Sequence, residues 1–84
     1  MEVPLSQMRP GQSGRVTKIL GGRGMIMKLI SMGIRPGAEV RKVAGMPLRG
    51  PTIIEIAGTT VAVGFGMAQR IIVEVGDEKD SSIR

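Results

Sequence analysis

The side chains that most often perform catalysis are scarce in this chain of 84 residues. Histidine and cysteine are absent, which removes the commonest general base, the most reactive nucleophile and the softest metal ligands. The acidic residues of the predicted strands are Glu39, Glu55 and Glu74. We expect them on separate strands and facing water, where they cannot form a catalytic pair. The sequence therefore predicts no catalytic residue, no metal site and no cofactor, and a protein that is not an enzyme.

A glycine-rich segment precedes the predicted helix and superficially suggests a phosphate site. Gly21, Gly22 and Gly24 surround Arg23 at this point, and helix N-termini do bind phosphates. The segment lacks the lysine and the hydroxyl residue of a P-loop, and no second strand–helix unit follows to complete a dinucleotide site. We interpret it as a flexible turn from strand to helix, so nucleotide binding is not expected.

The positive charge of the chain makes nucleic acid a candidate ligand. The net charge is +5, but the basic residues are scattered along the sequence instead of forming a run. Proteins that bind single strands stack bases on aromatic side chains, and the one aromatic residue here is Phe65. Its place in the predicted strand assigns it to the core. Nucleic-acid binding through charge alone remains an alternative, with affinity that falls steeply with salt.

A surface that contacts another protein is the function that the remaining residues favour. Seven methionines occur in this short chain, and methionine adapts to irregular interfaces. Met27 falls opposite the apolar side of the predicted helix, and Met46 and Leu48 lie in a proline-containing loop without an evident core role. Arg49 follows in the same loop and could contact an acidic partner. The candidate partner-binding residues are therefore Met27, Met46, Leu48 and Arg49.

The first half of the chain reads as a strand, a helix and a second strand. The strand covers about residues 13–20, with a β-bulge or a strong coiling of the strand expected near Thr17, because Val16 and Ile19 are both apolar and only a bend turns both inward. Apolar residues at helical spacing then predict a helix over about 23–32, ended by Gly33. A Pro-Gly turn leads into the second strand at about 38–44.

The second half alternates short strands with turns. Residues 52–56 and 59–65 read as a hairpin over Ala57 and Gly58, and a single helical turn at about 66–69 leads into a last strand at 70–75. Glycine-rich turns and an aliphatic core favour a small SH3-like β-barrel of about five strands, with one short helix after the first strand. We assign residues 1–76 to this barrel and residues 77–84 to a charged tail, which we expect to be disordered.

The order of particular residues, taken together, resembles a known family. The residues that carry the resemblance are Pro4, Leu5, Gly11, Gly14, Val16, Gly21, Gly22, Leu29, Met32, Gly33, Ile34, Pro36, Gly37, Pro47, Gly50, Pro51, Gly58, Ala68, Ile71, Ile72 and Val73. At these spacings the chain resembles the ferrous iron transport protein A (FeoA) family. The same module occurs at the C-terminus of DtxR-type metal-dependent repressors. The resemblance covers about residues 4–75 and implies the SH3-like fold.

The resemblance also implies a function. Proteins similar to FeoA are small cytosolic accessories of bacterial ferrous iron uptake, thought to act on FeoB, a membrane transporter with a GTP-binding domain. It implies a regulatory protein that docks on a FeoB-like transporter, without saying whether it activates or restrains it. No ligand pair of the repressor domain matches here, so no metal residue is carried over. A corepressor or a self-pairing scaffold remains an alternative, and the oligomeric state is open.

Two features of the sequence bear on location. No apolar run approaches the roughly 20 residues that a membrane-spanning helix requires, and the N-terminal residues lack the pattern of a signal peptide. The absence of cysteine suits a reducing compartment. We expect a cytoplasmic protein that does not insert into the membrane.

Overall fold

The computed structural model describes residues 1–45 and 48–76. Met46, one of the candidate partner-binding residues, and the predicted charged tail at 77–84 lie outside the described residues.

Within these described residues, six strands form one antiparallel sheet, in the order β1-β6-β2-β3-β4-β5. The strands are β1 Glu2–Pro4, β2 Ser13–Ile19, β3 Glu39–Gly45, β4 Thr52–Ile56, β5 Thr59–Val63 and β6 Ile71–Val75, with helices α1 Arg23–Ser31 and α2 Phe65–Ala68 and a 3₁₀ helix Leu5–Gln7. The mainly β architecture with one inserted helix confirms the predicted fold class. One strand was missed: β1 has three residues, all paired with β6, so α1 follows the second strand.

Two irregularities curl the sheet. The pairing of β2 with β6 shifts between Val16 and Lys18, which is the bulge predicted near Thr17. The pairing of β3 with β4 shifts between Lys42 and Ala44. Such bulges increase the local twist and bend a strand around a core. As a result Val16 is buried and Ile19 packs against the core.

The core is aliphatic, as the scarcity of aromatic residues requires. Leucine, isoleucine and valine side chains from every strand except β1, and from α1 and the 3₁₀ helix, bury against one another. The nine largest side chains below 2% exposure are Leu5, Leu29, Ile34, Ile54, Ile71, Val16, Val63, Val73 and Val75. Met25 and Met32 pack against this cluster as partly buried residues.

Helix α1 ends in a Schellman motif. The Ile34 amide donates to the Leu29 carbonyl and the Gly33 amide donates to the Ile30 carbonyl, both at 2.9 Å. Gly33 has φ +88°, which confirms its predicted role, because a residue without a Cβ accepts this conformation at no steric cost. Leu29 and Ile34 are both fully buried and anchor the helix end. Within the described residues, no helix is long and apolar enough to cross a membrane.

The β4–β5 hairpin closes with a turn of two residues. Ala57 has φ +52° and Gly58 has φ +80°, and two consecutive left-handed residues define the type I′ turn that matches the twist of paired strands. This is the hairpin that the sequence predicts. The predicted length of β5 was wrong, however. The strand ends at Val63, and Phe65 begins α2 after Gly64, so Phe65 is half-buried at a helix start instead of lying in the sheet.

Candidate interaction surfaces

Lys42 lies on the inner face of β3 despite its charge. Only 5% of the residue is exposed, because it shares the strand face of buried Val40 while Arg41 points outward. The Lys42 Nζ donates hydrogen bonds to the carbonyl oxygens of Met8, at 2.6 Å, and Ser6, at 3.1 Å. Its ammonium group therefore ties β3 to the 3₁₀ helix and the residue that follows it.

Two effects act on the protonation of Lys42. Burial lowers the pKa of Lys42 below its ordinary value, since the charged form loses hydration. The hydrogen bonds to two carbonyl oxygens favour the charged form in the opposite direction. An ammonium group has three N–H donors, and these two bonds leave one donor without a protein acceptor among the described residues.

A small recess of about 280 Å³ lies beside Lys42, which we call the loop pocket. It lies between the end of β3, the loop before β4 and the start of α2. Its lining includes Lys42, Gly45, Arg49, Thr52 and Phe65. Both charged side chains in this lining are positive, and no acidic residue is among the described residues that form it. The loop pocket is therefore a local concentration of positive charge.

Arg49 is held against the ring of Phe65. The Arg49 Cζ lies 5.9 Å from the centre of the Phe65 ring, within the range of a cation–π contact worth about 0.5–1 kcal/mol at an exposed site. No carboxylate in the described part of the chain pairs with Arg49. Phe65 thus supports a surface cation at the rim of the loop pocket, and one of its faces is taken up by that cation.

Leu48 combines exposure with an unfavourable backbone conformation. The residue is 97% exposed, and its φ is +60°, followed by +65° at Arg49. A left-handed conformation costs an L-residue about 1–2 kcal/mol, and residues held in such conformations concentrate at functional sites. An apolar side chain that is both strained and fully exposed contributes nothing to folding by its contacts. The structure therefore marks Leu48 as a candidate contact residue.

Met27 is exposed on the outer side of α1, as predicted, with an exposed fraction of 57%. It does not share a patch with Leu48 and Arg49. Strands β2 and β3 pair only over residues 13–15 and 39–41 and run past this stretch in opposite directions. Helix α1 follows the end of β2, whereas the loop follows the end of β3. Met27 therefore lies on a helix surface that is separate from the loop surface of Leu48 and Arg49.

A larger open groove of about 1050 Å³ lies between the end of α1 and the β4–β5 turn. Ile30 lines it and is 38% exposed, although helical periodicity places this residue on the apolar side. The groove carries charges of both signs. Arg41 donates to Glu55 at 2.8 Å, and Arg15 donates to Glu39 at 3.1 Å. Pairing reduces the field of these charges, so this groove lacks the one-sided charge of the loop pocket.

The three glutamates of the strands do not come together in one site. Glu39 and Glu55 pair with arginines, and Glu74 pairs with the N-terminal amine. The described residues contain no group of three or more potential metal-binding side chains. At Gly21, an added Cβ would lie 3.1 Å from the Met25 sulfur. Close packing thus accounts for this glycine, in line with the interpretation of the segment as a turn.

Lys42 is the residue that the sequence analysis missed. It was counted among the scattered basic residues, although its spacing of two from Val40 places both on the same strand face. Alternation was thus the available signal. Lysine is rarely buried unless its ammonium group has hydrogen-bond partners, and here two carbonyl oxygens provide them.

The sequence and the fold both match known proteins. The profile of the family described as FeoA domain matches residues 3–75. The chain belongs to the FeoA family. The protein named "Putative Fe(2+) transport protein A" of Methanocaldococcus jannaschii is 37% identical over 71 residues, which is 84% of this FeoA chain and 84% of that protein. The family that the sequence resembles is therefore confirmed.

Solved structures show the same relationship. A crystal structure of an iron uptake regulatory protein, FeoA, matches with a TM-score of 0.85 and 45% identity, covering 90% of this chain and all of the other. A manganese-dependent transcriptional repressor matches with a TM-score of 0.82 and 28% identity, over 89% of this FeoA chain and 42% of the repressor. The SH3-like fold is thus shared by a free-standing protein and by part of a larger regulator.

Proposed function

We propose that this FeoA-family chain is a regulatory accessory of ferrous iron uptake that docks, from the cytosol, on a FeoB-like GTP-binding membrane transporter. Membership of the FeoA family supports a role in ferrous iron uptake. The strained and exposed Leu48 is the observation that supports docking, because nothing in the fold benefits from an apolar side chain at this position. The protein acts by binding and carries out no reaction itself.

The loop carries the main contact in this proposal. Leu48 enters an apolar depression on the transporter, and Arg49 lies beside it as a cation. Burying one leucine side chain is worth about 1.5–3 kcal/mol, enough for a change in affinity of tenfold or more. Met27 on α1 and Met46 complete the proposed partner-binding set. Since Met27 lies on a separate surface, it contacts a second region of the partner or a different partner state.

Regulation follows if the two states of the transporter differ in affinity for the module. A ligand shifts an equilibrium only by its differential affinity for the two states. A module that binds one state tenfold more tightly than the other shifts the free-energy difference between the two states by about 1.4 kcal/mol. The rate of GTP hydrolysis by the transporter would report this shift.

The decisive experiment replaces Leu48 by asparagine, which tolerates the left-handed conformation better than leucine. We expect Leu48→Asn to fold as well as the parent and to bind the purified transporter at least tenfold more weakly, measured by titration in detergent or nanodiscs. Leu20→Asn is the matched control. Leu20 is also exposed, at 49%, and it directly follows the C-terminal end of β2, away from the loop that contains Leu48. Met27→Asp tests the helix surface separately.

The results separate the alternatives. Weaker binding of Leu48→Asn with unchanged Leu20→Asn supports docking through the loop. Unchanged affinity in both Leu48→Asn and Met27→Asp would remove the proposed surfaces. If the transporter is not bound at all and duplex DNA binds with a steep salt dependence, the charge-driven nucleic-acid alternative replaces the proposal.

A further inference from the structure

The loop pocket provides two fixed positive groups and leaves donors on both of them available. Lys42 contributes one N–H that no acceptor among the described residues takes up, and the guanidinium of Arg49 has no carboxylate partner in the same part of the chain. The ion pairs that the described residues do form lie on exposed parts of the sheet and do not include Lys42 or Arg49. Unpaired donors of one sign around a recess of about 280 Å³ are the arrangement that binds an anion.

Contacts within the chain hold Lys42 in place and restrain Arg49 before any ligand arrives. The Lys42 Nζ is fixed by the carbonyl oxygens of Met8 and Ser6, and the Arg49 side chain is supported by the ring of Phe65. Groups that are already ordered lose less conformational entropy on binding. Hydrogen bonds between a cation and an anion are also about twice as strong as neutral ones. The pocket therefore needs little rearrangement to hold an anionic oxygen.

We infer that the loop pocket binds the carboxylate of an aspartate or glutamate side chain from an acidic segment of the protein partner. This inference rests on the proposed docking function and names the chemistry of the partner at that site. The exposed Leu48 beside the pocket favours a peptide, since an apolar contact next to a carboxylate matches an acidic segment with an apolar neighbour. A nucleic-acid strand would need open aromatic faces on which to stack its bases, and Arg49 lies over one face of Phe65.

The experiment is a titration of the full chain with a tetraglutamate peptide with blocked ends, followed by amide chemical shifts at low salt. We expect saturable shifts at Gly45, Gly50 and Thr52, which line the pocket. Arg49→Gln should weaken the peptide about tenfold or more, because it removes a charged donor. Arg70→Gln is the charge-matched control, since Arg70 is exposed and outside the pocket lining, and it should change affinity less than twofold.

A second variant tests shape without changing charge. An added Cβ at Gly45 would lie 3.2 Å from both Cε and Nζ of Lys42, so Gly45→Ala narrows the pocket at its buried cation. We expect weaker peptide binding with the net charge unchanged, and a melting curve verifies that the variant is folded. Equal losses in Arg49→Gln and Arg70→Gln, or shifts spread over all basic residues, would overturn the inference in favour of general charge attraction.

Inorganic phosphate serves as the competing probe. If phosphate produces the same shifts at lower concentration than the peptide, the site is one for phosphate and the carboxylate assignment is wrong.

The affinity of the variants for the transporter separates this inference from the docking proposal. Loss of affinity in Leu48→Asn but not in Arg49→Gln refutes the pocket and keeps the docking function. Peptide binding to the pocket without any transporter binding refutes the docking function and keeps the pocket.

Discussion

Replacing Lys42 by methionine tests whether the buried ammonium group holds the N-terminal segment against the sheet. Methionine has a similar length and fills the same space, so the substitution removes charge and hydrogen bonds but little volume. The Met8 and Ser6 carbonyl oxygens, now 2.6 Å and 3.1 Å from Nζ, lose their donor. The buried Leu5, within the same segment, loses the link that fixes its position.

The expected loss comes from opposing terms. Each hydrogen bond to a charged group contributes about 1.5–3 kcal/mol, and a buried acceptor left without a partner costs about 1–3 kcal/mol. Removing the desolvation of the ammonium group offsets part of this loss. We expect a net loss of about 2–4 kcal/mol in the free energy of unfolding. For a domain of this size, 1 kcal/mol shifts the melting temperature by roughly 4–8 °C, so Lys42→Met should melt at least about 8 °C lower.

Arg41→Met is the matched control, since it removes the neighbouring cation from the opposite face of β3. Arg41 also donates two hydrogen bonds, both to Glu55, but the pair is exposed at 47% and 41%. Exposed ion pairs contribute about 0–1 kcal/mol. Urea unfolding of both variants and the parent gives the comparison. If Lys42→Met loses no more stability than Arg41→Met, the anchoring role of the buried ammonium is refuted.

The pH dependence of unfolding provides an independent check on Lys42. Its pKa in the folded chain is lowered from 10.5 by burial. Between the lowered pKa and 10.5 the unfolded chain therefore binds more protons at this site than the folded chain. Stability then rises with pH in that window, because ∂ΔG/∂pH has the sign of this difference. The stability gap between the parent and Lys42→Met should widen as the pH is raised toward 10.5, and a gap that narrows would contradict the direction of the shift.

Three further substitutions test the backbone. Ala57→Asn should stabilise the chain by about 0.5 kcal/mol in urea unfolding, because asparagine suits the first position of a type I′ turn; a loss would contradict the assigned turn. Gly33→Ala should cost about 1–2 kcal/mol through its φ of +88° alone, since an added Cβ meets no atom within 4 Å. Gly14→Ala should cost more, about 3 kcal/mol, because its Cβ would lie 2.4 Å from the Val73 Cγ1; equal melting temperatures for these two glycine variants would refute the steric argument.

Local chemistry was enough to predict several elements of the fold. The end of α1 at Gly33, the hairpin turn at Ala57 and Gly58, and the bulge near Thr17 each depend on residues close in sequence. Glycine in a left-handed conformation and a break in apolar alternation are signals that tertiary contacts seldom override. Such features can be read from a single sequence because the physical cause lies within a few residues.

Other features depend on contacts far apart in sequence. Strand β1 has only three residues and exists because β6 pairs with it. Lys42 can be buried because the carbonyl oxygens of Ser6 and Met8, more than thirty positions away in the chain, accept its hydrogen bonds. The position of Phe65 depends on the end of β5 at Val63. The sequence identified Leu48 and Arg49 as surface candidates, but the pocket beside them needs the folded arrangement of three segments.

The two ends of β3 differ in how their charges are balanced, and in the proposed docking this difference directs an acidic partner to one of them. At the start of the strand, Glu39 and Arg41 each have a partner of opposite sign on a neighbouring strand. Toward its other end, Lys42, and Arg49 in the loop that follows, have no acidic side chain beside them among the described residues that line the loop pocket. Complementary charge raises the rate of association and fixes orientation more than it raises affinity. In the proposed docking, the pocket therefore orients the acidic segment, while Leu48 supplies most of the binding energy. Added salt should then slow association of the parent, and of Leu48→Asn to the same degree, because the leucine acts mainly on dissociation.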